Sequence, residues 1–223
     1  MSNPLVCILT AGQGQRMGHL GKVLNKALFP INKEAIISSI ITKFPRETKF
    51  VIGLGFLGEQ VKKYLSIAHP KTEFIFVEIE NYKGEGSGPG HSLLCCESEL
   101  QNSFYFVSCD TLWANILPDN PDENWVGVSG ISNEEDSRNY CNMEIEDGII
   151  VSLRDKTKVD PARFKAFIGL CYIKDFSLFF NGLKNKNTVA GEHQISNGLI
   201  QIIENSELTA EYIDWTDVGS EEN

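Results

Sequence analysis

Leu5-Val6-Cys7-Ile8-Leu9-Thr10, followed by Ala11-Gly12-Gln13-Gly14-Gln15-Arg16-Met17-Gly18, is the stretch from which the architecture is best read. The first six residues are a continuous apolar run, the pattern of a strand buried on both faces. Such a strand belongs in a parallel sheet covered by helices, and the glycines behind it mark the turn at its carboxyl end. Moving outward, Glu34–Phe44 has apolar residues at helical spacing, Phe50–Leu54 reads as a second strand and Leu57–Ala68 as an amphipathic helix. Glu73–Ile79 follows as a strand, His91–Leu100 as a helix and Phe104–Cys109 as a strand. Repeats of this kind predict right-handed crossovers with helices on both faces.

The second half changes character. Trp125–Ile131, Cys141–Ile145 and Ile149–Leu153 read as strands, the last two joined through Asp147-Gly148, a hairpin signal. Phe167–Lys174 is another strand, Phe176–Leu183 a short helix, Gln194–Ile203 a long helix and Ala210–Ile213 a last strand. No linker, composition break or internal repeat divides the chain. The expectation is one α/β domain over residues 1–223, a three-layer sandwich with a mixed, mainly parallel Rossmann-like sheet.

Composition narrows the function classes. A chain of 223 residues buries roughly 70% of its unfolded surface, so it needs neither disulfides nor a structural metal to fold. The formal charge of −10 argues against nucleic-acid and anionic-membrane partners, which select basic surfaces. No apolar run approaches the ~18 residues of a membrane span, and the start lacks the layout of a signal peptide, so a cytoplasmic protein is expected. Charge is uneven: residues 1–63 hold nine Lys/Arg against three acids, whereas eight acids and no Lys or Arg follow Lys186. A basic first region in an acidic chain points to a local anion site. The six cysteines show no CxxC pair, and Cys7, Cys109 and Cys171 lie in apolar runs where a thiol is a small hydrophobe.

The loop after the first strand carries the chemistry. Ligands of open α/β sheets bind at the carboxyl ends of the strands, glycines bring backbone amides close to an anion, and Arg16 adds a fork for phosphate oxygens. A dinucleotide fingerprint fails because Met17 occupies its last glycine position, and no acid ends the second strand. A P-loop fails because Gly21-Lys22 precedes Val23. A purely structural turn would leave Arg16 and the nearby lysines without a purpose.

Leu9-Thr10-Ala11-Gly12-Gln13-Gly14-Gln15-Arg16-Met17 resembles the signature of the nucleotidyltransferase family of sugar-1-phosphate and phosphocholine-type nucleotidylyltransferases. Asn25-Lys26-Ala27-Leu28-Phe29-Pro30-Ile31 is similar to the family's Pro-Lys-x-Leu segment, with Asn25 in place of proline, and Ile31–Ile37 to the strand and turn behind it. Lys26 is the phosphate ligand this alignment implies, with Lys22 as the alternative. Gly88-Pro89-Gly90-His91-Ser92 resembles the loop over the nucleoside, although Pro89 replaces a threonine and its hydroxyl. The glycines at 84, 86, 88 and 90 also fit a mobile loop. Ser108-Cys109-Asp110-Thr111-Leu112 and Trp215-Thr216-Asp217-Val218-Gly219-Ser220 resemble the two segments whose aspartates hold Mg²⁺. An isolated Asp after a strand also serves as a turn former.

Weaker likenesses lie between. Leu153-Arg154-Asp155-Lys156 is similar to a segment whose lysine meets the acceptor phosphate, with Lys158 as the alternative. Phe167–Tyr172 resembles the strand lining the acceptor pocket through Gly169, and Glu192 stands where the family places an acid on acceptor hydroxyls. Glu192 equally fits a first-turn residue of the following helix.

The resemblance implies transfer of an NMP group from an NTP, CTP or UTP foremost, to a phosphorylated acceptor with release of pyrophosphate. Sugar 1-phosphates lead as acceptors, giving NDP-activated precursors of the kind used for cell-surface polysaccharides. A small phosphorylated alcohol or amide activated with CTP is the second reading, and a non-catalytic regulatory homologue is the reading from another class. Arg16 and Lys26 are the implied catalytic residues, and Asp110 with Asp217 the implied Mg²⁺ ligands. Leu9, Ala11, Gly12, Gly14, Gln15, Gly88, Gly90 and Ser92 are the implied nucleotide contacts, and Lys156, Gly169 and Glu192 the implied acceptor contacts. Neither a nucleic acid nor a membrane is expected as partner, self-association is compatible, and an end soon after Asp217 is compatible with a chain that continues past residue 223.

Overall fold

The computed structural model describes residues 4–114, 116–117, 122–185 and 187–218. In chain order the main-sheet strands are β1 (Leu5–Leu9), β2 (Lys49–Leu54), β3 (Glu73–Glu78), β4 (Phe104–Ser108), β5 (Asn124–Ser129), β6 (Cys141–Glu146), β7 (Ile149–Asp155), β8 (Phe164–Ile173) and β9 (Leu208–Tyr212). The helices are α1 (Ile36–Ile41), α2 (Gly58–Ala68), α3 (Pro89–Cys95), α4 (Phe176–Leu183) and α5 (Ser196–Asn205). All nine strands join one sheet in the order β3-β2-β1-β4-β8-β5-β9-β7-β6.

The sheet is mixed, with its parallel pairing concentrated in β1 to β4 and in the β5–β9 pair. The ladders that β8, β7 and β6 make with their neighbours are antiparallel. The expectation of a mainly parallel sheet therefore describes the first half. In the second half one tight hairpin joins β6 to β7, and β8 runs antiparallel to β4, β5 and β6, none of which it meets through a hairpin. Asp147 and Gly148 make the tight turn between β6 and β7 with φ of 49° and 85°, the left-handed pair that such turns require.

Alternation along the buried strands builds two cores. Val6 and Ile8 of β1 face a cluster with Ile36, Ile37 and Ile40 of α1 and Val61 and Leu65 of α2. Cys7 faces the opposite cluster, with Leu93 of α3, Phe179, Phe180 and Leu183 of α4 and Leu199 and Ile202 of α5. Helices thus cover both faces, which is the three-layer arrangement. Each such aliphatic or aromatic side chain, fully buried, contributes about 1.5–3 kcal/mol, so the β1 run is stabilised from both sides at once.

Two elements depart from their expected bounds for local reasons. The first helix is shorter than Glu34–Phe44, because Glu34–Ala35 pairs with Pro30–Ile31 in a small hairpin turned by Asn32 and Lys33, both at positive φ. The helix expected at His91–Leu100 begins earlier, at Pro89, where a proline costs no intrahelical hydrogen bond, and ends at Cys95. Short pairings that periodicity does not reveal matter more for function. Thr111–Trp113 pairs with Trp215–Asp217, and Thr188–Val189 with Glu192–His193.

Candidate active site

β1 and β4 are adjacent and parallel, with Leu9 opposite Ser108, so the loops that leave them emerge side by side at one end of the sheet. The chain runs outward from β1 through β2 to β3 and resumes at β4 on the other side of β1, which makes this gap the topological switch point. A cleft of about 760 Å³ opens there. It is lined by ten of the residues singled out from the sequence: Leu9, Ala11, Gly12, Gly14, Arg16, Lys26, Gly88, Ser92, Asp110 and Glu192.

The first wall is the glycine-rich loop. Thr10 anchors it, donating from its backbone N and from Oγ1 to the Gly53 carbonyl at 2.8 and 2.9 Å. Gly14 is in the left-handed conformation at φ 59° and leads into a 3₁₀ turn over Gln15–Met17, which sets Arg16 at the cleft. Gln15 opens that turn. Another 3₁₀ turn, Lys26–Leu28, carries Lys26 to the floor, where its Nζ bonds Asp110 Oδ2. The pair is largely buried, with side-chain exposures of 11% and 22%. Lys22 is not among the lining residues, so of the two lysines Lys26 is the one the fold brings in.

The second wall is the Gly84–Pro89 loop, held against the 188–193 hairpin. Gly86 N donates to the Gly191 carbonyl at 2.8 Å, and His193 N to the Ser87 carbonyl at 2.7 Å. Gly90 lies beneath this contact and does not line the cleft. A Cβ on it would stand 2.5 Å from the Gln194 carbonyl oxygen, so the two segments meet only because residue 90 has no side chain.

Asp217 is not among the residues that line the cleft, and it stands beside it by a different route. It pairs in register with Thr111, and Val218 N donates to the Asp110 carbonyl at 3.1 Å, which sets the two aspartate-bearing segments side by side. Gly219 and Ser220, the end of the motif read from the sequence, lie outside the described residues. Among the described residues no group of three or more His, Cys, Asp or Glu side chains gathers to hold a metal. Two carboxylates fit Mg²⁺, a hard cation that takes one or two protein carboxylates and completes its shell with phosphate oxygens and water.

The acceptor-side residues are distributed more widely than expected. Lys156 does not line the cleft. It adopts φ 49°, donates from its backbone N to the Tyr140 carbonyl at 2.8 Å, and reaches the cleft edge through a 3.0 Å ion pair to Glu192 Oε2. Gln194 Nε2 donates to the same oxygen at 2.8 Å. Glu192 lies in a strand and not in a helix's first turn, which removes the capping reading. Lys158 pairs instead with Glu134 and Glu135, away from the cleft. Gly169 sits at φ 77° in a bulge of β8, where a Cβ would meet Ser108 Oγ at 2.5 Å. It shapes the cleft from beneath, through Ser108, and is not itself a lining residue.

Several lining residues escaped the sequence reading, among them Tyr82, Lys83, Glu85, Ser108 and Cys109. The glycine alternation at 84–90 was the available signal for the first three, and the motif around Asp110 for Ser108 and Cys109. Burial pushes the Cys109 thiol up to about 12, so it faces the cleft as a neutral group at physiological pH.

No protein-family model matches the chain. The bifunctional protein GlmU of Methanocaldococcus jannaschii is 24% identical over 218 residues, which cover 95% of this chain and 50% of that protein. The chain spans about half the length of the curated relative it matches. A UDP-glucose pyrophosphorylase in complex with UDP-glucose superposes with a TM-score of 0.80 at 18% identity, over 99% of this chain and 95% of that one. The inositol-1-phosphate CTP transferase of T. maritima superposes with a TM-score of 0.74 at 16% identity, over 100% and 91%. The fold is the one these nucleotidyltransferase structures share. The cleft occupies the switch point that such a sheet provides.

Proposed function

We propose that this chain transfers an NMP group from an NTP to a phosphorylated acceptor, a sugar 1-phosphate foremost, and releases pyrophosphate. The observation that carries the reading is the convergence of a glycine-rich backbone, Arg16, Lys26 and Asp110 in one cleft at the switch point. The acceptor's phosphate is the nucleophile. It is anionic near neutral pH, so no side-chain nucleophile or general base is needed. The protein's task is alignment for in-line attack and neutralisation of charge at the α-phosphate.

Arg16 and Lys26 hold the triphosphate and the leaving pyrophosphate. In the free protein Lys26 is tied to Asp110, so nucleotide binding exchanges that partner for phosphate oxygens. Asp110 and Asp217 would hold Mg²⁺, which supplies charge neutralisation at the phosphates when bound. Backbone groups of Ala11 and Gly12 face the base, with Gly88 and Ser92 across the cleft. Lys156 takes the acceptor phosphate in exchange for Glu192, and the released Glu192 accepts from acceptor hydroxyls. Lys156→Ala then raises the acceptor KM about tenfold, the worth of one charge-assisted hydrogen bond, and leaves the KM for nucleotide unchanged in steady-state kinetics.

CTP stands beside UTP as the nucleotide, and phosphorylated alcohols beside sugar phosphates as acceptors, because the fold serves a CTP transferase as well. A regulatory role without catalysis would rest on Pro89. That residue sits at the first position of α3, where proline is a favourable helix start, so its presence needs no loss of function. No helix among the described residues is long and apolar enough to cross a membrane.

Thermal shift with each NTP, with and without Mg²⁺, tests nucleotide binding. At a hundredfold excess over Kd a ligand adds about 2.7 kcal/mol, or about 5–10 °C in Tm for a chain of this size. One pyrimidine NTP is expected to give that shift, with Mg²⁺ and not without. No shift with any NTP contradicts the proposal.

A further inference from the structure

The residue before Lys26 is not needed for the chemistry, yet its side chain is the most fully bonded amide near the cleft. Asn25 is 1% exposed. Its Nδ2 donates to the Thr10 carbonyl at 2.9 Å and to the Phe56 carbonyl at 2.6 Å, while its Oδ1 accepts from Ala27 N at 2.9 Å. Its backbone N donates to Gln60 Oε1 at 3.0 Å, and Gln60 Nε2 donates to the Val23 carbonyl at 2.9 Å. Three separate segments meet on this one side chain: the loop after β1, the loop after β2 and the 3₁₀ turn that carries Lys26.

These bonds close a ring. Phe56 N donates to the Ala11 carbonyl at 3.0 Å, so Thr10, Ala11, Phe56 and Asn25 form a continuous hydrogen-bonded circuit directly behind the cleft wall. An amide that uses both donors and an acceptor in a buried place fixes its surroundings, because any movement leaves a polar group unpaired away from water. A lysine side chain has four flexible methylenes, so its ammonium is placed only as well as its backbone is held. Lys26 follows Asn25 directly and ends on Asp110.

We infer that Asn25 is a positioning residue, which fixes the backbone of Lys26 and of Ala11 as one rigid unit and so presents the phosphate-binding ammonium and the base-facing loop in register. The inference deepens the nucleotidyl-transfer reading and rests on it for the role of Lys26. Other bonds do not replace the clamp, because Thr10 and Phe56 offer these carbonyls to the Asn25 amide and the 3₁₀ turn takes its cap from the same side chain.

The experiment combines a structural readout with a kinetic one. Asn25→Asp keeps the shape and the Ala27 cap and removes both donors. Gln60→Ala is a milder variant that removes only the Asn25 N and Val23 contacts from the surface of α2, so a folded protein is available whatever Asn25→Asp does. Lys26 acetylation by an N-hydroxysuccinimide ester is followed by mass spectrometry in the nucleotide-free protein, with the more exposed Lys62 as internal reference. Lys26 labelling relative to Lys62 is expected to rise about tenfold in Asn25→Asp and about threefold in Gln60→Ala, the range of coupling between bonded neighbours. In turnover, Asn25→Asp is expected to lower kcat/KM about tenfold in the native background and not at all in Lys26→Ala, the signature of two residues acting through one interaction.

Unchanged Lys26 labelling in both variants overturns the inference, and so do losses that multiply in the double variant, which is what a merely structural role gives. Absence of turnover with every NTP and acceptor removes the proposed reaction, while the labelling arm still decides whether Asn25 positions Lys26.

Discussion

Asp110→Ala lowers kcat/KM for nucleotidyl transfer by about a thousandfold, at the upper end of what one preorganised electrostatic group is worth. The carboxylate stands at the end of β4 on the cleft floor, facing the glycine-rich loop, whereas the other lining carboxylates, Glu85 and Glu192, belong to the opposite wall. Its loss also leaves the Lys26 ammonium, 11% exposed, without the anion it contacts. Breaking a fully buried pair costs 3–5 kcal/mol, and the partial exposure of Asp110 reduces that here to about 1–3 kcal/mol. Asp110→Asn separates the two effects. The amide keeps an oxygen for Lys26 and the shape of the floor, so Tm stays near that of the parent while activity falls as far as in Asp110→Ala. Steady-state kinetics beside calorimetry reads both. An Asp110→Asn protein with full activity would remove Asp110 from the reaction.

Gly90→Ala produces the largest structural effect. The new Cβ would stand 2.5 Å from the Gln194 carbonyl oxygen and 2.8 Å from its carbon, both main-chain atoms that no rotamer change can move aside. Overpacking of this kind costs about 3 kcal/mol, which lowers Tm by about 6–12 °C for a chain of this length. The loss is expected to extend to both proposed substrates, because the Gly84–Pro89 loop and the hairpin bearing Glu192 are held to each other by the Gly86–Gly191 and Ser87–His193 bonds. KM for nucleotide and for acceptor therefore rise together in Gly90→Ala, unlike Lys156→Ala, in which only the acceptor KM moves. Alanine at Gly84, where a Cβ meets nothing within 4 Å, is the control for the loop itself, although its φ of 89° adds backbone strain.

What the sequence disclosed and what it withheld follow from the range of the interactions. β1, the loop behind it and Asp110 at the end of β4 are written in local pattern, and so is α4, whose bounds Phe176–Leu183 agree with the reading. The β6–β7 turn was legible because Asp-Gly at that spacing has a conformational cause. Asp217 came to its place through a three-residue pairing with Thr111–Trp113, too short to show a period and too distant in sequence to be inferred locally. The 188–193 hairpin, the bulge that sinks Gly169 beneath Ser108 and the ion pair that carries Lys156 to Glu192 are likewise products of tertiary packing. Asn25 was visible only as a departure from a motif. Its meaning lies in carbonyls from two loops that the sequence does not bring together.

The central claim is that this cleft joins an NTP to a phosphorylated acceptor, and pyrophosphate release tests it most directly. Incubation with each NTP, Mg²⁺ and a panel of sugar 1-phosphates and phosphorylated alcohols, followed by ³¹P NMR, detects both the free pyrophosphate and the new diphosphate linkage. The account predicts stoichiometric appearance of the two signals for one pyrimidine NTP with one acceptor class, dependent on both substrates and lost in Asp110→Asn. Tight nucleotide binding without pyrophosphate from any acceptor would contradict it and assign the fold a regulatory role.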